Sequence, residues 1–236
     1  MHNVRTAFDR GAGRYDLLTS LNPGYHRHLR SAARELRRRI GTPGRHRLMD
    51  LACGSGSSTR ALLAAGPASI LGLDASEGML AEARRKRWPD GVRFAHAVCG
   101  NLDVDSLGPD SRDGIFAAYL FRNVPESTRD AAVRETFDLL RPGGWLVAQE
   151  YSVAGDPGAA RRWDVISRSI IIPLAVMVDG NPDLYHYLWR SVHEFDSTAR
   201  FMRRLSDAGF IDVATRTVPG WQRGILHTFV ARKPEE

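Results

Sequence analysis

The chain has 236 residues, 43% of them hydrophobic and 25% charged, which is ordinary for one soluble α/β domain with a modest insertion or cap. No apolar run approaches the ~20 residues that cross a membrane, and the N-terminus lacks the apolar core of a signal peptide. The two cysteines, Cys53 and Cys99, provide neither a disulfide framework nor a metal-ligand spacing. We therefore expect a cytoplasmic protein that binds no metal.

The formal net charge of +6 is compatible with a nucleic acid or an anionic membrane surface as a partner. The arginines are scattered, which favours ordinary surface positions and no nucleic-acid partner. The exception is the arginine-rich stretch at residues 34–39, where a solvated helix face and a peripheral membrane contact are both open interpretations. Whether the chain forms a homo-oligomer is also left open.

Hydrophobic spacing over residues 4–40 predicts helices interrupted at residues 22–24, an N-terminal helical cap that could lie over a ligand cleft. Short apolar runs alternating with helical patterns follow. The predicted strands are residues 48–52, 69–73, 92–98, 114–120 and 144–150, and predicted helices include residues 58–65 and 128–140. This alternation predicts a mostly parallel sheet with helices on both faces.

Residues 151–189 depart from the alternation. They contain a dense apolar stretch that we expect Pro173 to end. A helix packed on the sheet and an apolar wall over a substrate site are both compatible with it.

The last part of the chain predicts a helix and a closing pair of strands. Asp196 or Ser197 is the expected cap of a helix that runs to Leu205, and residues 210–217 and 224–232 are the expected strands. The sheet would then have seven strands. The chain divides as a single domain into a cap, a ligand-binding core, substrate-wall helices and a closing unit, at residues 1–44, 45–150, 151–195 and 196–236.

The most informative stretch is residues 48–56, a short buried strand that ends on a glycine-rich turn. Gly54 and Gly56 allow positive φ and close approach to a ligand, and Ser57 or Ser58 is the expected cap of the next helix. Thr59 stands where the dinucleotide fingerprint requires its third glycine. Asp50 precedes the glycines, and its charge suits a cationic ligand better than a pyrophosphate.

A second acid, Asp74, ends the next predicted strand about 20 residues later, as in nucleotide-binding βαβ units. Its carboxylate can accept hydrogen bonds from both hydroxyls of a ribose. Ser76 is a plausible cap for the helix that follows, and Met79 falls where an adenine ring could rest on it.

These segments resemble the motifs of the Rossmann-like S-adenosyl-L-methionine (SAM) methyltransferases. The likeness rests on residues 50–56, 71–80 and 140–146, in that order. It implies SAM as the cofactor and S-adenosyl-L-homocysteine as the product. The residues expected at the cofactor are Tyr15, Asp50, Ala52, Cys53, Gly54, Ser55, Gly56, Asp74, Ala75, Met79, Val98, Cys99, Gly100 and Tyr119. The resemblance implies that backbone N–H groups of residues 98–100 read the adenine edge.

The chain resembles one family in particular, the ubiquinone/menaquinone-biosynthesis C-methyltransferases. The shared residues run nearly end to end, at 8–9, 15–18, 24–27, 121–124, 187–191, 207–210 and 224–227. The resemblance implies transfer of a methyl group to a ring carbon of a quinol, an apolar aromatic small molecule. The chain departs from the family pattern at Thr19, Val98 and Ala118.

The expected chemistry needs a phenolate-activated carbon, and a free phenol has a pKa near 10. Arg122 beside the ring would stabilise the phenolate, and Asn123 would hydrogen-bond the same oxygen. His26 is a candidate base, as is His227. The side chains expected to bind the substrate are Tyr151, Trp163, Ile166, Tyr187 and His227.

Three alternatives share the expected fold. The first is an O- or N-methyltransferase of secondary metabolism. The second is a nucleic-acid methyltransferase, which residues 119–122 argue against because they lack the motif that adenine-N6 enzymes carry after strand four. The third is a SAM-binding protein that transfers no methyl group, such as a cyclase.

Overall fold

A computed structural model describes residues 24–41, 44, 46–179 and 182–236. Most of the predicted N-terminal cap, including Tyr15 and Thr19, lies outside the described residues. The helices are α1 (Tyr25–Ile40), α2 (Ser57–Ala65), α3 (Glu77–Arg85), α4 (Val104–Leu107), α5 (Glu126–Leu139), α6 (Pro157–Ile166), α7 (Ile172–Asp179), α8 (Pro182–Glu194) and α9 (Thr198–Asp207). The strands are β1 (His46–Leu51), β2 (Ala68–Asp74), β3 (Val92–His96), β4 (Arg112–Ala118), β5 (Leu140–Tyr151), β6 (Ile211–Thr217) and β7 (Leu226–Arg232).

The seven strands form one sheet in the order β3-β2-β1-β4-β5-β7-β6. The pairings among β1 to β5 are parallel, and β7 runs antiparallel to both β5 and β6. The predicted seven-stranded, mostly parallel sheet is confirmed. The strand order reverses between β1 and β4, and in an open α/β sheet a ligand binds beyond the strand ends at such a point.

Helices cover both faces of the sheet, as predicted. On one face, Leu29 and Leu36 of α1 pack in a buried cluster with Val147 of β5. On the other, Val133 of α5 and Phe201 of α9 belong to a second buried cluster. This double cover explains why the central strands are continuous apolar runs. Among the helices in the described residues, none is long and apolar enough to cross a bilayer.

The helix that follows the glycine-rich turn does not begin as expected. Gly56 occupies the capping position of α2 with φ +94° and no side-chain cap, so the prediction of a serine cap is wrong. Ser58 donates its hydroxyl hydrogen to Asp50 instead. The Ser76 cap of α3 is confirmed, because its Oγ accepts a hydrogen bond from the Met79 N–H at 3.1 Å.

Pro173 does not end the apolar helix. A wider π-helical turn at Ser167–Ile171 joins α6 to α7, and the helical path continues through the proline to Asp179. Proline lacks an N–H donor, and a π-helical turn has already shifted the hydrogen-bond pattern where the proline enters. The wider turn thus explains why the helix tolerates Pro173.

Candidate active site

A cavity of about 670 Å³ lies at the carboxyl ends of the central strands, where the strand order reverses. Its size falls within the roughly 300–1,000 Å³ of small-molecule sites. Eleven of the predicted site residues line it: Ala52, Gly54, Asp74, Ala75, Met79, Val98, Cys99, Tyr119, Arg122, Asn123 and Tyr187. The cavity therefore joins the expected cofactor residues to the expected catalytic pair.

The turn after β1 forms one wall. Ala52 has φ +57°, a left-handed conformation that is uncommon for a residue with a side chain. Gly54 also has positive φ, and a Cβ built on it would meet no atom within 4 Å. The backbone at Gly54 therefore offers open space to a ligand. Gly56 needs glycine for another reason, because a Cβ there would lie 2.6 Å from the Trp88 ring.

Asp74 ties the first two strands together at the cavity. Its Oδ2 accepts the Gly54 N–H at 2.7 Å, and its Oδ1 accepts the Ser76 N–H at 2.8 Å. A carboxylate has about four acceptor positions, a number that allows one group to bind backbone N–H donors and ribose hydroxyls together. Met79 is buried and also borders the cavity.

Asp50 lies beneath the turn and off the cavity wall. It is fully buried, and its Oδ2 accepts the hydroxyls of Ser58 at 2.8 Å and Thr59 at 2.6 Å. Burial, with a smaller contribution from the charge of Asp74, raises the pKa of Asp50 to about 7 against the lowering effect of the Thr59 and Ser58 hydroxyls. Asp50 therefore fixes the start of α2. Cys53, Ser55 and Gly56 are also absent from the cavity lining.

In the segment that is expected to bind the adenine edge, Val98 and Cys99 line the cavity and Gly100 does not. The Gly100 N–H donates to Glu135 Oε2 at 2.7 Å, and the Leu102 N–H donates to Glu135 Oε1 at 2.8 Å. The expectation that Gly100 presents its N–H to the adenine edge is wrong, because Glu135 already accepts that hydrogen.

The turn after β4 carries the catalytic pair. Tyr119 leaves the strand with φ +60°, and Phe121–Asn123 form a single 3₁₀ turn. Arg122 Nη1 donates to the Tyr119 carbonyl at 2.9 Å and lies 3.4 Å from Glu150 Oε2. Its buried Nε has no hydrogen-bond partner within the described residues. Arg122 as a residue lines the cavity, so its positive charge acts on a ligand bound there.

Asn123 is fixed at both ends of its amide. Its Nδ2 donates to the Tyr119 carbonyl at 2.7 Å, and its Oδ1 accepts the Tyr187 hydroxyl at 3.2 Å. Burial raises the pKa of Tyr187, so its hydroxyl stays protonated near neutral pH. Tyr187 of α8 thereby joins the helical wall to the turn after β4.

The other predicted substrate and catalytic side chains lie away from the cavity. Tyr151 stacks between Tyr119 and Trp163, with ring centroids 5.2 and 5.4 Å apart. This aromatic row lies behind the Tyr119 wall, and Tyr151, Trp163, Ile166 and His227 do not line the cavity. Their substrate-binding roles remain predictions.

Neither candidate histidine base borders the cavity. The half-buried ring of His26 contacts Tyr25 edge to face at 5.2 Å. His227 is buried on β7, and burial lowers its pKa. Their assignment as bases remains a prediction.

Sequence reasoning missed two charged residues that hold the catalytic turn. Glu150 at the end of β5 is fully buried, and its Oε1 accepts the Phe121 N–H at 2.6 Å. Arg129 of α5 donates to the Phe121 and Val124 carbonyls, both at 3.0 Å, and pairs with Asp196 at 3.2 Å. The signal for Glu150 was present in the sequence, because a charge at the end of a buried strand requires a partner.

The chain matches the ubiE/COQ5 methyltransferase family over residues 1–233. It is 35% identical over 223 residues to the ubiquinone/menaquinone biosynthesis C-methyltransferase UbiE of Methylobacterium nodulans, spanning 92% of this chain and 86% of the relative. It is 32% identical over 217 residues to the demethylmenaquinone methyltransferase of Clavibacter sepedonicus, spanning 91% and 85%.

Solved structures share the fold. The Haemonchus contortus phosphoethanolamine N-methyltransferase 2 in complex with SAM aligns over 96% of this chain and 57% of its own, with a TM-score of 0.69 and 15% identity. The [4+2]-cyclase SpnF aligns over 99% and 96%, with a TM-score of 0.70 and 17% identity. At such identities the likeness shows the Rossmann-like fold alone.

The family match decides the chemistry that the fold leaves open. It covers nearly the whole chain, and it confirms the predicted cofactor SAM and the predicted methyl transfer. The chain belongs to the ubiE/COQ5 methyltransferase family and is a SAM-dependent methyltransferase.

Proposed function

We propose that the protein methylates a ring carbon of a quinol-like aromatic molecule. The observation that carries the proposal is that Arg122 and Asn123 line the same cavity as Gly54 and Asp74. The curated relatives are named for ubiquinone/menaquinone biosynthesis and demethylmenaquinone methylation, which are both quinone chemistry. The proposed acceptor is therefore a hydroquinone ring.

The residues around the cavity fit the cofactor. Gly54 leaves space for a close ligand, Asp74 offers acceptors to a ribose, and Met79 offers an apolar surface to the base. When bound, SAM supplies a methyl group on a sulfonium. The protein must then hold the acceptor carbon in line with that methyl and its sulfur.

Arg122 supports activation of the acceptor. Its side chain is only 8% exposed, so its charge acts where water screens it little. Its positive charge beside a ring oxygen stabilises the phenolate form, which lowers the pKa of a phenol from its usual value near 10. Electron density from the phenolate then makes the neighbouring ring carbon nucleophilic. Bonding of that carbon to the methyl would break the sulfur–methyl bond and leave S-adenosyl-L-homocysteine, and the ring would regain aromaticity by releasing its proton to water.

The direct test is turnover of a short-chain demethylmenaquinol with SAM, with the position of the new methyl group read by mass spectrometry and NMR. We expect carbon methylation, and an Arg122→Ala variant that loses about a hundredfold or more in kcat while its SAM affinity by calorimetry is unchanged. Arg216→Ala is the matched control, because Arg216 pairs with Glu35 away from the cavity. SAM binding without quinol turnover would contradict the proposal and favour a methyltransferase of secondary metabolism.

We also propose that this enzyme is cytoplasmic and contacts the membrane surface where an apolar quinol resides. Support comes from an apolar stripe on α7 and the preceding turn, formed by Ile170, Leu174 and Met177, which are 58%, 40% and 82% exposed. Their spacing of i, i+4 and i+7 puts them on one helix face, and exposed Arg161 and Arg168 lie on the same helical segment. Such an arrangement suits an anionic lipid surface.

The arginine-rich stretch of α1 is the weaker candidate for this contact. Arg38 and Arg39 pair with buried Glu35, and Arg37 donates to the Pro67 carbonyl at 3.3 Å. These guanidinium groups already bind the protein's own acceptors.

Vesicle flotation tests the membrane contact. We expect binding to vesicles that contain phosphatidylglycerol, and loss of binding in Met177→Glu but not in Ile211→Glu, which alters an exposed apolar residue on β6. Absence of vesicle binding contradicts the proposal. If Met177→Glu instead abolishes self-association in light scattering, the stripe is the contact of a homo-oligomer.

A further inference from the structure

We propose that Glu150 is a positioning residue of the reaction, whose carboxylate holds the turn after β4 so that Arg122 presents its positive charge to the acceptor oxygen. The inference rests on the proposed function. Glu150 is fully buried and absent from the cavity lining, so it acts through Arg122 and not by touching the substrate.

The contacts of Glu150 support this role. Its Oε1 accepts the Phe121 N–H at 2.6 Å, and its Oε2 lies 3.4 Å from Arg122 Nη1. One carboxylate thus binds both the backbone at the start of the 3₁₀ turn and the guanidinium that the turn carries. Phe121 is the first residue of that turn, so its N–H has no partner within the turn itself.

The turn is also held from its other side. Arg129 donates to the carbonyl groups of Phe121 and Val124, and Asp196 pairs with Arg129. On this turn Arg129 binds backbone oxygens, so it fixes the backbone and does not orient the guanidinium of Arg122. The contacts that orient Arg122 are the Tyr119 carbonyl, Glu150, and the rings of Tyr119 and Tyr151, which lie 5.3 and 5.8 Å from its guanidinium carbon.

The negative charge of Glu150 faces the positive charge of Arg122. Burial raises the pKa of Glu150 to about 7, against the opposing effect of Arg122, so its ionisation changes near neutral pH. Arg129 is the other cation that faces it, and His227 stands opposite it in the β5–β7 pairing. The pKa of His227 is lowered and that of Tyr187 is raised by burial, so neither is expected to titrate with Glu150.

Glu150→Gln is the informative variant, because an amide oxygen can still accept the Phe121 N–H while the charge toward Arg122 is lost. We expect kcat to fall on the order of a hundredfold, with little change in the KM for SAM. In the wild type, kcat should rise with pH around a midpoint near 7 as Glu150 ionises. This rise should be absent in Glu150→Gln and partly restored in Glu150→Asp. Glu35→Gln is the matched control, since Glu35 is another buried glutamate paired with arginines away from the cavity.

A double-mutant cycle separates positioning from a purely structural role. If Glu150 acts through Arg122, adding Glu150→Gln to Arg122→Gln should reduce kcat by less than twofold further. Independent losses that multiply would overturn the inference, as would wild-type kcat and pH dependence in Glu150→Gln.

The structure of the Glu150→Gln variant with S-adenosyl-L-homocysteine gives a readout that needs no acceptor. We expect Arg122 Nη1 to move away from the side chain of residue 150. A guanidinium that keeps its wild-type position would overturn the inference. Failure of the wild type to methylate the quinol would refute the proposed function instead, so the two failures are distinguishable.

Discussion

Replacing Asp74 by Asn tests whether the tip of β2 both builds the cavity and binds the cofactor. The native carboxylate accepts the Gly54 N–H at 2.7 Å and the Ser76 N–H at 2.8 Å. An Asn amide has one acceptor oxygen, so its NH₂ group must face one of these two donors. That backbone N–H loses its partner, and the negative charge that strengthens the other bond is gone.

The magnitude follows from these two losses. A buried donor left unpaired costs about 1–3 kcal/mol, and a hydrogen bond to a charged group contributes about 1.5–3 kcal/mol. We therefore expect a loss of about 2–4 kcal/mol, divided between unfolding free energy and SAM binding. If about 2 kcal/mol falls on binding, the SAM dissociation constant rises about thirtyfold.

Calorimetric titration with SAM and urea unfolding of the ligand-free protein separate the two shares. Asp103→Asn is the matched control, because Asp103 accepts the Ser106 N–H at 3.1 Å as the cap of the exposed helix α4. SAM affinity in Asp74→Asn within twofold of wild type would refute the assignment of Asp74 to the cofactor.

Two further predictions concern the strand and turn that precede α2. Burial raises the pKa of Asp50 to about 7, so the contribution of this carboxyl group to stability should be complete below about pH 4 and lost as pH rises through about 7. Asp50→Asn should flatten that part of the pH dependence, as measured by urea unfolding. Gly56→Ala should destabilise the fold, because φ is +94° and the new methyl would meet Trp88. Gly54→Ala meets no atom but has φ +54°, so it should lose only about 1–2 kcal/mol of unfolding free energy in urea. It should also bind SAM weakly in calorimetry, because its methyl enters the cavity.

The sequence was sufficient to place two residues at one edge of the sheet. Asp74 was predicted because it ends a recognisable apolar run, and Arg122 through the family resemblance of residues 121–124; both line the cavity. Tyr151 and His227 were also predicted to bind the substrate, and neither lines the cavity. The side chains that face a cavity at a strand end depend on the conformation of the following turn. Tyr119 has a positive φ, which cannot be predicted from the sequence because the residue is not a glycine.

The π-helical turn and the partners of Glu150 could not be read from local sequence, although the charge of Glu150 at the end of a buried strand could. A proline in an apolar run predicts a helix end, but the π-helical turn at Ser167–Ile171 depends on tertiary packing. Glu150 was passed over because its partners, Phe121 and Arg122, lie 29 and 28 residues earlier in the chain. Contacts of this range appear only once β4 and β5 are paired.

The two halves of the site are held in the same way. After β1, Gly54 donates its N–H to a carboxylate on the neighbouring strand β2, Asp74, at 2.7 Å. After β4, Phe121 donates its N–H to a carboxylate on the neighbouring strand β5, Glu150, at 2.6 Å. Each carboxylate thus fixes the backbone of the turn that precedes it in the site.

Each of these turns also begins with a strained residue. Ala52 and Tyr119, both non-glycine and both on the cavity wall, have φ of +57° and +60°. Such conformations cost about 1–3 kcal/mol and persist only where neighbouring interactions enforce them. Backbone bonds to the adjacent strands add to the two carboxylates, because the Cys53 N–H donates to the Leu73 carbonyl at 3.0 Å and the Tyr119 N–H to the Gln149 carbonyl at 2.8 Å. The strength of the sheet is therefore coupled directly to the geometry presented to both the cofactor and the acceptor.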